Sequence, residues 1–466
     1  MEKSPTPGTC FSNQLLAPAE VERDLASFSA GEPIRRLSEA LSPSQLFLVG
    51  GLVRDAFHAL QATDIDVATD LTPEEVSSRC NKHQLRVIET GIQHGTVLVV
   101  IDGNHVEVTT FREPRDRTEQ VCAHDIETDL SGRDFTINAV AFNITTSKLC
   151  DPFDGAGDLV KGVLRSVGSP EDRIIEDPLR ILRMIRFGPA TGRSVVPDLL
   201  KASMNHAALL DKVSPERIRT ELDKILLSRF PAVAIRTMKE LGLLPYTIPE
   251  LLPAIDFEQN VFHTQDVFEH TLTVLDRTPA DRILRWAAIF HDIGKPHTLT
   301  VDPDGSRHFY LHEVVSEREA RVRMKELKFS NDDSDTIALI VREHMRPLDC
   351  GAPGVRRILR DLGPEIDRWQ LFKQADASPT LPSEAFDDAA TRFNTLRRDE
   401  EARVAGPVYG KLAITGDDLI ALGMEPGPKI GQILKALIEI VLDDPSRNEQ
   451  GRLLQEAQLL MQSLKA

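Results

Sequence analysis

A chain of 466 residues is long for a single core and, at roughly 150 residues per domain, calls for about three domains. Hydrophobic residues make up 41% and charged residues 27%, which excludes a wholly disordered protein. With 55 Lys+Arg against 72 Asp+Glu the formal net charge is −17; this excludes holding nucleic acid by bulk charge, since neutralising phosphates needs a cationic excess, but leaves local basic patches open.

Residues 1–30 are rich in Ser, Pro and small polar side chains and read as a flexible extension. Met1-Glu2-Lys3-Ser4-Pro5 leads into no apolar run, and Glu20, Glu22 and Asp24 follow, which argues against a targeting peptide. Leu46-Phe47-Leu48-Val49 is a short strand ended by Gly50-Gly51, and Leu52 to Leu60 reads as a helix. Ile65-Asp66-Val67-Ala68 is a second strand. Thr72-Pro73-Glu74-Glu75 then supplies a cap, a first-turn proline and a capping-box glutamate. Thr96 to Ile101, the turn Asp102-Gly103-Asn104, and His105 to Phe111 alternate as a hairpin.

After Asp151-Pro152-Phe153-Asp154-Gly155 the strand signals nearly vanish. Helical periodicity dominates from Ile174 onward, broken near Pro245–Pro253, Pro279, Gly351–Pro353 and Gly427–Pro428, with no fixed-period repeat. The expected class is therefore α+β, with strands confined to the head. No stretch approaches the roughly 20 apolar residues of a membrane helix, so a soluble chain without membrane contact is expected. Cys10, Cys80, Cys122, Cys150 and Cys350 are scattered, with no CxxC pair; they predict a reduced, cytoplasmic setting and no structural zinc.

Asp64 and Asp66 flank Ile65 on the second strand, and strand side chains repeat every two residues, so both carboxylates leave one face. Two such acids can hold Mg²⁺ beside a triphosphate. The spacing alone also suits a solvated strand edge. Upstream, the strand running into Gly50-Gly51 lets backbone approach phosphates closely.

Leu48-Val49-Gly50-Gly51-Leu52-Val53-Arg54-Asp55, followed by Asp64-Ile65-Asp66-Val67-Ala68-Thr69, resembles the opening signature of the class II tRNA nucleotidyltransferase and bacterial poly(A) polymerase family. Arg133-Asp134-Phe135-Thr136-Ile137-Asn138-Ala139 resembles a further family segment, although Gly132 stands where an arginine is usual. Asp151-Pro152-Phe153-Asp154-Gly155, Glu176-Asp177-Pro178-Leu179-Arg180-Ile181-Leu182-Arg183 and Pro215-Glu216-Arg217-Ile218 follow in the family's order. The resemblance implies a polymerase-β-like head in which Asp64 and Asp66 bind Mg²⁺, with Glu107 on a neighbouring strand as candidate third carboxylate. It implies nucleotide contacts from Gly50, Gly51, Arg54, Arg112, Arg133, Asp134, Asn138, Asp177, Arg180, Arg183 and Arg186. The partners it implies are tRNA, CTP and ATP, and the reaction is untemplated addition of CCA to the tRNA 3′ end. Enzymes adding only CC or only A, and poly(A) polymerase, stay open beside it.

Asp177 and Arg180 lie three apart on an expected helix, hence on one face. An ionised Asp only accepts hydrogen bonds and an Arg only donates. Cytosine and adenine each offer an amino donor beside a ring acceptor; uracil and guanine present a carbonyl where the Asp needs a donor. A surface ion pair is the plainer reading of this spacing. The resemblance favours the base-reading one. Arg183, Arg186, Arg217 and Arg219 extend a local cationic track. The segment Thr90-Gly91-Ile92-Gln93-His94-Gly95-Thr96-Val97 resembles the tRNA enzymes rather than the poly(A) polymerases.

Farther on, His270, the run His291-Asp292-Ile293-Gly294-Lys295 and Asp376 resemble the HD phosphohydrolase superfamily, with His312 and His344 as extra ligands of a two-metal version. Imidazoles with carboxylates suit a second divalent metal. A phosphohydrolase with a degenerate head is the alternative from another class. Ile414 to Ile420 and Gly423 to Gly431 read as two short helices joined by a Gly/Pro turn. The expected segments are an extension (1–30), a nucleotidyltransferase head (31–150), a helical neck carrying nucleotide- and RNA-binding elements (151–253), an HD domain (254–380) and a helical tail (381–466).

Overall fold

The computed structural model describes residues 15–60, 64–89, 92, 95–113, 123, 125–259, 265–377, 383–403 and 411–463. The chain divides into two compact units, Met1–Pro249 and Glu250–Ala466. The expected head and neck therefore share one unit, and the expected HD domain and tail share the other.

The first unit runs α1 (Pro18–Ser29), α2 (Glu32–Leu41), β1 (Leu46–Leu48), α3 (Gly51–Ala56), β2 (Ile65–Thr69), α4 (Pro73–Lys82), β3 (Arg86–Ile88), β4 (Thr96–Ile101) and β5 (Asn104–Thr110). It continues with α5 (Ile126–Ser131), β6 (Ala141–Asn143), β7 (Lys148–Cys150), α6 (Gly155–Lys161), β8 (Val163–Leu164), α7 (Pro170–Glu176) and α8 (Arg180–Phe187). Then come β9 (Ser194–Val195), α9 (Pro197–Asn205), α10 (Pro215–Leu226) and α11 (Pro231–Glu240). Strands β1 to β7 form one sheet in the order β3-β4-β5-β2-β1-β6-β7, in which only β2 and β5 pair in parallel. Phe47, Ala68, Phe111, Leu130 and Ala141 meet in a core under it. The Thr72 capping box forms as expected, Thr72 Oγ1 accepting from Glu75 N at 3.3 Å and Glu75 Oε2 from Thr72 N at 2.9 Å.

Strands are not confined to the head, since β8 and β9 pair in parallel beyond it, and two expectations fail between residues 18 and 60. Residues 18–29 are a helix, not a flexible extension: Val21 and Leu25 are buried, and Glu22 accepts from Leu149 N and pairs with Lys148 on β7, both at 3.0 Å. An i,i+4 apolar pair and one edge-strand contact suffice to dock a stretch whose composition looks loop-like. The helix expected to reach Leu60 stops at Ala56, because Ala59 turns into the left-handed region at φ 52.

The second unit runs α12 (Val267–Arg277), α13 (Arg282–Phe290), β10 (Leu299–Val301), β11 (Arg307–Phe309), α14 (His312–Glu326), α15 (Asn331–Glu343), α16 (Ala352–Leu362) and α17 (Ile366–Ala377). It ends with α18 (Ser383–Arg403), α19 (Gly416–Ala421), α20 (Pro428–Asp443) and α21 (Gln450–Ser463). Every residue of α13 from Ile283 to Phe290 is buried, so this helix is the axis on which the others pack. Phe393 of α18 joins Val355, Leu359 and Trp369 in one core, which joins the tail to the preceding helices rather than parting them near residue 380. The second of the two expected short helices, α20, has 16 residues.

Candidate functional site

Two constraints fix the residue after β1. Gly50 has φ 71, and a Cβ built on it would lie 2.8 Å from Asp66 Oδ2, so a side chain there would be strained and would strike that carboxylate. The closeness follows from the antiparallel pairing of β1 and β2, in which Val49 N donates to Asp66 O at 3.0 Å. Asp64 sits exposed on the bend before β2, not within the strand as expected, and Asp66 is its half-buried second residue.

The parallel register sets Asp66 opposite Glu107 on β5. Burial, followed by the charges of Glu107 and Asp64, pushes the Asp66 carboxyl upward, against Arg133 and Arg54. A divalent cation would relieve this repulsion, and hard carboxylate oxygens suit Mg²⁺. Among the described residues, the groups of three with ligand atoms all within 4.8 Å lie in the second unit. Glu107 is thus an electrostatic neighbour of Asp66 and does not complete such a trio.

The expected arginines are held by a polar chain. Arg54 Nη1 donates to Asn138 Oδ1 at 3.0 Å, Asn138 Nδ2 to Asp134 Oδ1 at 2.9 Å, and Arg183 Nε to Asp134 Oδ2 at 2.7 Å. Burial opposes the Asp134 charge, but Arg183 and Asn138 outweigh it and hold the carboxyl below its ordinary range. Arg186 pairs with Glu221 at 2.7 Å, and Arg183 approaches the same carboxylate at 3.8 Å. Arg133 binds Asp129 with Nη2 at 2.7 Å, and Arg112 N donates to that carboxylate at 3.1 Å. Phe187, Asp129 and Glu221 were not among the sequence candidates. Glu221 had a readable signal: it falls on the apolar face of α10 with Ile218, Leu222 and Ile225, and a charge in such a stripe must be paired.

The expected base-reading pair is arranged differently. Asp177 and Arg180 do not share a helix; α7 ends at Glu176, Asp177 is its extended C-cap, and α8 begins at Arg180. Pro178 explains the break, since proline disfavours helical backbone in the residue before it. Arg217 Nη2 donates to both Asp177 oxygens, at 2.8 and 3.1 Å. Arg180 donates to Glu176 Oε2 at 2.9 Å and to the carbonyls of Arg173 and Gly132 at 3.0 and 3.1 Å. Both side chains are thus engaged within the protein rather than presented as a matched pair.

In the second unit α12 brings His270, the end of α13 brings His291 and Asp292, α14 opens with His312, His344 caps the end of α15, and α17 supplies Asp376. They form two groups, His270, His291 and Asp376, and Asp292, His312 and His344. Asp292 joins them: Oδ2 lies 3.2 Å from His291 Nε2 and 3.6 Å from His270 Nε2, while Oδ1 lies 3.2 and 3.6 Å from His312 and His344 Nε2. Asp376 Oδ1 stands 3.3 Å from His270.

The histidines carry their own test of fit. The Nδ1 atoms of His291, His312 and His344 lie 2.7 to 2.8 Å from the carbonyls of Ala288, Phe309 and Val341, each three residues back. A carbonyl only accepts, so each Nδ1 bears a proton and, in the neutral ring, each Nε2 keeps a lone pair. Two such atoms, on His312 and His344, face one another at 3.2 Å, and that of buried His291 faces Asp292 Oδ2, itself an acceptor, at 3.2 Å. Opposed lone pairs are repulsive unless a cation lies between them, so the donor set fits divalent metal. Burial opposes ionisation of Asp292, and Lys295, whose Nζ lies 2.7 Å from Oδ2, helps hold its carboxyl well below the usual range.

Comparison with known proteins agrees with this order of elements. Family models described as the poly A polymerase head domain, the probable RNA and SrmB-binding site of polymerase A, and the HD domain match residues 46–165, 194–255 and 262–378. An A-adding tRNA nucleotidyltransferase of Deinococcus radiodurans is 32% identical over 414 residues, covering 85% of this chain and 91% of its own. A CCA-adding enzyme of Limosilactobacillus fermentum is 28% identical over 459 residues, covering 95% and 100%. The crystal structure of the Bacillus stearothermophilus CCA-adding enzyme in complex with CTP superposes with a TM-score of 0.69 at 25% identity, covering 96% and 98%. From the three ordered domains and a relative alike across most of both chains, this chain belongs to the tRNA nucleotidyltransferase family and is a nucleotidyltransferase.

Proposed function

We propose that the first unit adds C and A to the tRNA 3′ end. The terminal 3′-hydroxyl attacks the α-phosphate of CTP or ATP, a new phosphodiester forms, the α–β bridge breaks, and pyrophosphate leaves as the hydroxyl gives up its proton. Asp64 and Asp66 are the residues to hold Mg²⁺, which when bound neutralises charge at the α-phosphate and makes the hydroxyl a better nucleophile. Gly50 keeps the backbone against Asp66 so that phosphate oxygens can approach both. Arg54, Arg183 and Arg186 supply fixed positive charge for the polyphosphate. The carrying observation is the Asp66 carboxylate, pushed upward by burial and by Glu107 and Asp64 while packed against a Cβ-free residue. For Asp177 and Arg180 to read a base edge, their links to Arg217 and Glu176 must be exchanged for the nucleotide.

The first relative named above adds A, which favours A-only addition as a second reading. Incubation with tRNA ending at the discriminator base, at C and at CC, with labelled CTP or ATP separately, discriminates them. Incorporation of both C and A supports full CCA addition, and of ATP alone onto CC the narrower reaction. Asp64→Ala should abolish incorporation; if it does not, the Mg²⁺ assignment is wrong. Asp177→Ala should loosen base choice. The fragment that sets poly(A) polymerases apart lies partly outside the described residues, at positions 90, 91, 93 and 94; a homopolymeric A tail on a generic RNA would favour that branch.

We infer that the second unit holds two divalent metals, one on His270, His291, Asp292 and Asp376, the other on Asp292, His312 and His344. Imidazole-rich donors favour Mn, Fe, Co, Ni or Zn over Mg. Such a centre supplies Lewis-acid chemistry for hydrolysis of a phosphate ester, while the buried carboxylates and the Nδ1-tethered imidazoles fix the geometry. Elemental analysis and assay on cyclic-phosphate substrates test it; a metal-free, inactive protein leaves a structural body. The free thiols Cys80, Cys150 and Cys350 agree with a reducing cytoplasmic setting. Among the described residues no helix is long and apolar enough to cross a membrane.

A further inference from the structure

Phe187 closes α8 and is surrounded by guanidinium groups, Arg186 at 4.0 Å, Arg54 at 5.0 Å and Arg183 at 5.4 Å from the ring centroid. Arg193 joins them from the turn before β9. Its Nη1 donates to Thr191 Oγ1 at 2.8 Å and to the Phe187 carbonyl at 3.4 Å, and its Nη2 lies 2.9 Å from His58 Nε2. The first three arginines have carboxylates: Asp55 for Arg54, Asp134 and Glu221 for Arg183, and Glu221 for Arg186. Among the described residues the hydrogen-bond acceptors of Arg193 are neutral. Burial, then the like charge of Arg54, bring its pKa down to about 10. The cluster therefore holds a positive charge that is expensive unless an anion arrives.

His58 lies four residues after Arg54, on the turn that ends α3, with its backbone N donating to Asp55 O at 3.0 Å. A guanidinium can only donate. His58 Nε2 must therefore accept, which makes the ring neutral with its proton on Nδ1. Burial, then the charge of Arg193, pushes the pKa of the imidazole below its ordinary value; Arg54 adds to this and Asp55 opposes it. Protonation would set N–H against N–H and cation against cation.

We propose that His58 and Arg193 are a positioning couple for Arg54, holding the arginine cluster in register for the triphosphate of the incoming nucleotide only while His58 is neutral. The inference rests on the nucleotidyl-transfer reading above. His58 tethers Arg193 to the end of α3; Arg193, packed on the Phe187 carbonyl, fixes the distance between α3 and α8, and with it the place of Arg54 relative to Arg183 and Arg186. Loss of the tether lets Arg193 move toward or away from Arg54, and the polyphosphate meets a cluster of altered spacing.

The test measures ATP and CTP affinity directly, together with KM and kcat for incorporation, at about pH 7.5 and at steps down to about pH 4.5, because the His58 value lies below the ordinary histidine one and the acid arm must reach beneath it. Full-length wild type, His58→Gln, His58→Phe and Arg193→Met are compared. Gln accepts through Oε1 and does not titrate. It should keep wild-type KM at the highest pH within about twofold, while at the lowest pH the wild-type KM rises about fivefold more than that of His58→Gln. The nucleotide's own phosphate titration is common to both proteins and cancels. His58→Phe and Arg193→Met should raise KM about tenfold at both ends of this range with kcat within about threefold. Equal acid responses in wild type and His58→Gln, or a fall in kcat with KM unchanged in Arg193→Met, overturn the couple. If incorporation is absent but nucleotide binding shows the stated pH difference, the transfer reading fails and the couple stands.

Discussion

At the residue scale, the head depends on a few atoms whose neighbours are fixed. Gly50→Ala should lower kcat at least about 100-fold while costing only about 1–2 kcal/mol of stability, because the added methyl meets the Asp66 carboxylate rather than the core; an active variant would show that the carboxylate can move aside. Asp134 supplies a pH dependence. Its folded pKa is depressed, so its contribution is present above the unfolded value and lost as pH falls through the ordinary carboxylate range and below it, under about pH 4. Urea midpoints of wild type should therefore fall with acid more steeply than those of Asp134→Asn. Glu221→Gln leaves Arg183 and Arg186 without their shared carboxylate. Because the Arg183 side chain is 31% exposed, the loss should be about 2 kcal/mol, under the ~3–5 of a fully buried pair. These residues differ in legibility. Gly50, Asp64 and Asp66 stood out by type and spacing, whereas Asp129 and Phe187 act through contacts that no local pattern announces.

At the scale of elements, helix ends decide where the chemistry stands. Asp266 caps α12, Oδ1 accepting from Glu269 N at 2.6 Å, and its Oδ2 also accepts from Asp256 N at 2.9 Å. Asp266→Ala should cost about 1 kcal/mol and, since α12 carries His270, weaken metal binding severalfold; urea unfolding reads the first and calorimetric titration with Mn²⁺ the second. Unchanged affinity would mean that His270 is held by packing of Phe268 and Leu272 alone. The break between α7 and α8 shows the limit of periodicity: Glu176 to Arg183 has a helical pattern, but Pro178 parts it and turns Asp177 toward Arg217. A hydrophobic stripe records which face is buried. It does not record where a cap interrupts the backbone.

For the whole molecule, two compact units predict two separable unfolding transitions. Stripping transition metals should lower one of them, and restoring metal at about 100 times its dissociation constant should return about 2.7 kcal/mol per site, leaving the other transition unchanged in differential scanning calorimetry. A uniform shift of both would contradict a centre built wholly from residues of the second unit. The net charge of −17 is compatible with RNA handling because Arg54, Arg183 and Arg186 are gathered around Phe187, and a local field falls off within a Debye length.

By itself the sequence determined the α+β order of elements, the glycine turn after β1 ahead of the acidic strand β2, and the choice of His270, His291, Asp292, His312, His344 and Asp376 as candidate metal ligands, because strand period, glycine chemistry and metal preference are local properties. Only the tertiary structure decided that α1 docks on β7, that Asp177 engages Arg217 and Arg180 engages Glu176, that Asp292 joins two groups of ligands, and that His58 meets Arg193. Those partners lie up to 127, 40, 4, up to 84 and 135 residues apart, in that order. Where the separation is long, chain closure and packing choose the partner; in the short Arg180 pair, a proline-broken helix leaves the guanidinium facing the preceding turn.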